Sequence, residues 1–90
     1  MGATTSISGL VTSSNGQPVL GVIIKAVWSE ERKNYQTVTK GDGRYHIHHM
    51  HPGGPYTVTA NFSGFQAQPA NNVILKHGEN DVLNFELEPV

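Results

Sequence analysis

Four imidazoles crowd the six positions from His46 to His51: His46, His48, His49 and His51. Neutral imidazole nitrogen is a good donor to Zn²⁺, Cu²⁺ and Ni²⁺. On a strand, residues two apart lie on one face, about 6.5–7 Å from each other. His46 and His48 are therefore able to reach one ion together, with bonds of about 2.0–2.1 Å. A structural zinc site needs four ligands, and the sequence supplies no obvious third; His77 and Asp42 are no more than possibilities. The expected arrangement is an exposed polar face that runs into a loop, with His46 and His48 at most an adventitious metal pair. No resident metal or cofactor is expected. Imidazoles this close gain charge against one another below about pH 6, which depresses their pKa values.

Other reactive types are present without a reactive pattern. Glu30, Glu31, Asp42, Glu79, Asp81, Glu86 and Glu88 fall in turn-like stretches or on one outward row. A general acid needs a carboxyl pushed into apolar surroundings, which turns and an outward row do not offer. There is no cysteine and no G-x-S-x-G turn for a nucleophile. Gly41-Asp42-Gly43 opens like a phosphate-binding fingerprint, but its third glycine is missing and no helix follows. Asn61-Phe62-Ser63 matches a glycosylation sequon by pattern alone. Trp28, Tyr35 and Phe65 are the rings able to face a ligand, and Trp28 and Tyr35 are the candidate ligand or partner contacts. A small cysteine-free domain needs its aromatics inside, so core or edge packing competes with that role.

Strands must position all of these groups. Thr4 to Thr12 places Ile7, Gly9 and Val11 on one face, and Gly9 marks a close backbone approach. Val19 to Trp28 is expected to bury Val22, Ile24, Ala26 and Trp28 and to leave Lys25 wet. A charged tip at Ser29 to Asn34 leads to Tyr35 to Thr39, whose facing is ambiguous. Arg44 to His49 sets Tyr45 and Ile47 against Arg44, His46 and His48. Pro52 to Pro55 interrupts, because proline offers no N–H to a ladder. Tyr56, Val58, Ala60 and Phe62 then alternate with polar residues. Pro69 breaks the next piece, leaving a strand over Asn72 to Lys76. In Asp81 to Glu88, Leu83, Phe85 and Leu87 point in. Seven short strands with a period of two give an all-β, seven-stranded antiparallel Greek-key β-sandwich. Leu10, Ile23 and Val27 form an outward apolar set, either a contact patch or an edge of the core.

Composition narrows the role. Ninety residues with net charge −1 make one small domain over residues 4–89, with residues 1–3 expected to be a disordered added start on an excised piece. That charge argues against a nucleic-acid partner. No apolar run is long enough to span a bilayer, and no signal peptide is seen. Without cysteine, stability rests on packing alone.

The segments SISGLVTSSNGQPVLGVIIKA, KGDGRYHI, MHPGGPYTVTANFSGFQ and NNVILKHGENDVLNFELEP occur in that order. Together they resemble the carboxypeptidase regulatory-like domain, a transthyretin-like sandwich among carbohydrate-binding-like folds. PGGPYTV and LNFEL are most similar to the copy that precedes the plug of TonB-dependent outer-membrane receptors of Bacteroidetes-type bacteria. The resemblance covers roughly Thr5 to Pro89. The charged tip and HIHHMH are not part of that pattern. It implies a non-catalytic accessory domain on the periplasmic face of the outer membrane, aiding folding or protein contact. The implied partner is the parent receptor's plug and barrel or another periplasmic protein, with no membrane insertion by the domain itself. The alternative is a carbohydrate-binding module, with a glycan as partner, or an appendage of a secreted enzyme.

Overall fold

A computed structural model describes residues 5–66 and 68–90. The expectation for residues 1–3 lies outside them. Eight strands form: β1 (Thr5–Ser13), β2 (Ile23–Trp28), β3 (Lys33–Val38), β4 (Arg44–Met50), β5 (Gly53–Asn61), β6 (Gln68–Leu75), β7 (Asn80–Val82) and β8 (Phe85–Leu87). They make two four-stranded sheets. One places β4 and β7–β8 on either side of β1, and the other runs β3-β2-β5-β6. This is the all-β sandwich that the alternation implies.

The rows close on a dry interior. Ile7, Val11, Tyr45, Ile47, Phe85 and Leu87 come from the first sheet, and Ile24, Ala26, Tyr56, Val58 and Ala60 from the second; all are buried. Each fully buried aliphatic or aromatic side chain contributes on the order of 1.5–3 kcal/mol, an upper range because the unfolded chain already hides some of that surface. The facing of β3 is settled by Tyr35 and Thr37, which are half-buried, while Gln36 and Val38 are exposed. Thr39 then sits inside. Its hydroxyl donates to the Val19 carbonyl at 2.7 Å and accepts from the Val22 N–H at 2.9 Å, which ties the approach to β2 onto the end of β3.

Four details differ from the expectation. The last strand is split, and both halves pair parallel to β1. Where it breaks, the Asn84 side chain accepts the Leu10 N–H at 2.9 Å, filling a gap in the ladder. Second, β6 begins at Gln68 and runs through Pro69. Proline is tolerated there because, among the described residues, β6 is the edge strand of its sheet. Third, a short 3₁₀ turn, Ser29–Glu31, forms the charged tip, closed by Arg32 at φ 53°. Fourth, the apolar set is not one patch. Leu10 lies on the outside of the first sheet, while Ile23 and Val27 lie on the opposite side of the sandwich.

Candidate functional site on the outer face of the first sheet

β4 pairs with β1 so that Ile47 faces Ile7, His46 faces Ser8, Tyr45 faces Gly9 and Arg44 faces Leu10. Between Ile47 and Met50 the register slips by one residue, and Met50 pairs with Thr5. His49, at φ 56°, is the extra residue of this bulge. Its effect is to leave His48 and His49 both exposed while returning Met50 to the core. The alternation of Tyr45 and Ile47 inward, with Arg44, His46 and His48 outward, is as the sequence implies.

His46 and His48 stand side by side, with ring centroids 3.8 Å apart and planes tilted by 38°. His49 is farther out, 6.1 Å from His48. On the β7 side the row continues through Ser8, which accepts from the Asn80 amide at 3.0 Å; Ser6 in turn donates to the Asn80 carbonyl oxygen at 2.7 Å. An open groove of about 340 Å³ runs beside His46, lined by Ser8, Lys40, Arg44, Val82 and Asn84. Partial loss of water at the sheet surface holds the His46 pKa below its ordinary value of 6.5; His48 and Lys40 push the same way, and Asn80 pulls it back. Asp42 is occupied elsewhere, taking the Arg44 N–H at 3.1 Å and facing its guanidinium at 3.6 Å. Both partners of that ion pair are exposed, so it contributes little. His77 lies in the turn after β6. Among the described residues no group of three or more His, Cys, Asp or Glu is placed to hold a metal ion.

His51 leaves the cluster altogether. It lies between β4 and β5, its ring 5.9 Å from Trp28. Trp28 packs 5.5 Å from Tyr56, and Tyr56 lies 6.2 Å from Tyr35. The Tyr56 hydroxyl donates to the His51 carbonyl at 2.7 Å, and the Tyr35 hydroxyl accepts the His51 N–H at 3.0 Å. Gly53 allows the crossing, since a Cβ there would meet the Trp28 ring at 2.6 Å. Trp28 and Tyr35 therefore sit half-buried on the core-facing side of the second sheet, closing one end of the sandwich. No sequence signal paired His51 with Trp28; the crossing between sheets creates that contact.

A model of the carboxypeptidase regulatory-like domain matches residues 6–88. No curated protein matches the chain. Similar solved structures include hydroxyquinol 1,2-dioxygenase from Pseudomonas putida DLL-E4, at TM-score 0.72 and 8% identity over 98% of this chain and 57% of that one. The Bacillus anthracis TIE protein matches at TM-score 0.70 and 19% identity, over 98% and 17%. The dioxygenase domain of a dioxygenase carbohydrate-binding fusion from Streptomyces sp. SirexAA-E matches at 0.70 and 13%, over 98% and 82%. The chain spans little more than half of the first of these, and at such identities the likeness shows the fold alone.

Proposed function

From the premise that the chain belongs to the carboxypeptidase regulatory-like domain family, typically a non-catalytic accessory domain, we propose that it serves as the accessory module ahead of the plug of a TonB-dependent outer-membrane receptor. In this reading it aids folding or protein contact on the periplasmic side. The family match over nearly the whole chain carries the proposal, since it assigns residues 6–88 to the sandwich itself. The link PGGPYTV and the closing LNFEL support the receptor setting. Both have plain structural roles: the link carries the chain from one sheet to the other, and LNFEL supplies the buried Phe85 and Leu87. Trp28 and Tyr35, half-buried at one end of the sandwich, are the proposed contact for the receptor's plug or for another periplasmic protein.

Deleting the module from its parent receptor tests this. Substrate uptake, receptor level or both are expected to fall. Unchanged uptake at unchanged level sinks the proposal.

Carbohydrate binding on the same two rings is the competing reading. Trp28 and Tyr35 are packed at a tilt against Tyr56 and half-buried, which speaks against a free stacking platform for a sugar. Titration of Trp28 fluorescence with oligosaccharides is expected to give no saturable change.

A further inference from the structure

We infer that His46 and His48 form an open site for one late first-row transition-metal ion, Cu²⁺, Ni²⁺ or Zn²⁺, with water completing its coordination. The inference is independent of the accessory role.

The backbone fixes the pair before any ion arrives. His46 is registered to Ser8 in the β1–β4 ladder, and His48 follows two residues on, as the first residue of the bulge. Both side chains stand on the exposed face of β4. The rings already lie 3.8 Å apart between centroids. Both side chains are exposed, so rotating the rings is enough to aim one nitrogen from each at a shared ion about 2.0–2.1 Å away.

Donor chemistry selects the metal. Two imidazoles suit Cu²⁺, Ni²⁺ and Zn²⁺, whereas Ca²⁺ and Mg²⁺ require several oxygens. The nearby carboxylate, Asp42, is held by Arg44. The rest of the histidine cluster is set apart: His49 is turned out by the bulge and His51 lies against Trp28. Lys40 and Arg44 line the same groove and repel a cation. At an exposed site that repulsion is largely screened by water and salt.

The test titrates the tag-free chain with Cu²⁺ and Ni²⁺, followed by calorimetry and by amide NMR spectra. Paramagnetic broadening is expected first at residues 45–49, at Ser6 to Ser8 and at Asn80. His46→Ala and His48→Ala should each weaken binding on the order of tenfold, and the double variant should abolish it. His49→Ala and His77→Ala should bind as the parent does, and Ca²⁺ should leave the spectra unchanged. His46→Gln serves as a second variant should His46→Ala disturb the fold. No binding up to about 1 mM metal overturns the inference. So does broadening centred on His51 or His77, or full affinity in the double variant.

Discussion

Gly9, Tyr45 and Leu83 form one arrangement built from three distant stretches. The last strand leaves regular pairing at Leu83, and its carbonyl needs another partner. The Tyr45 hydroxyl donates to it at 2.6 Å across the β1–β4 ladder. Gly9 lies opposite Tyr45 and beneath that carbonyl; a Cβ at Gly9 would fall 1.7 Å from the Leu83 oxygen. The Leu83 backbone on one side and the buried Tyr45 ring on the other leave little room for relief. Gly9→Ala should therefore lose about 2–4 kcal/mol of stability, read from the shift in the urea midpoint at constant slope.

Burial raises the Tyr45 and Tyr56 hydroxyl pKa values well above the ordinary 10.0, with the Tyr35 hydroxyl adding to the rise at Tyr56. The folded state thus keeps these protons after the unfolded chain has released them. Their contribution is fully present below about pH 10 and is lost as pH rises beyond it. Urea midpoints should hold steady from neutrality to about pH 9.5 and then fall, and Tyr45→Phe should reduce the fall. At His46 the sign is opposite. Its folded pKa is lowered, so the folded state disfavours the charged ring and stability weakens as pH drops through 6.5. An NMR titration should place His46 below 6.5, and His48→Ala should move it upward, because a neighbouring positive charge is removed.

Among the elements, β4 is where the local pattern gives out. Tyr45 and Ile47 announce their facing by a period of two, but the period fails at His49. Nothing in HIHHMH states which residue is the extra one. Pairing with β1 decides, because Met50 is apolar and is buried once the register slips. His49 then takes a left-handed backbone, which β-branched side chains tolerate badly. His49→Gly should leave stability within about 1 kcal/mol of the parent, while His49→Val should lose about 1–3 kcal/mol by thermal or urea unfolding. Pro69 shows the same limit. A proline reads as a break in a lone stretch, yet it is harmless on a strand at the edge of its sheet.

At the scale of the whole molecule, the last strand holds the first sheet together. It runs along β1, with the Ser6 N–H bonded to the Glu79 carbonyl and the Leu83 N–H to the Ser8 carbonyl. It also brings Phe85 and Leu87 over the core. Removing residues 80–90 strips both and bares Ile7 and Val11. The shortened chain should show no cooperative unfolding transition by circular dichroism, while the 90-residue chain shows one.

Alternation alone determined the buried rows of β1, β2, β5 and the first half of β4, since a strand's two faces see different solvents and its residues must sort by polarity. Gly9 was legible for the same reason: a residue without a side chain inside an apolar row signals a neighbour too near for one. The shared face of His46 and His48 followed from spacing. Tertiary structure alone decided the parallel course of the last strand, the bulge at His49, the separation of Leu10 from Ile23 and Val27, and the meeting of His51 with Trp28. Each depends on which strands become neighbours. That choice is made by the fit of two whole sheets, and a local pattern of two-residue period is the same whichever strand lies alongside.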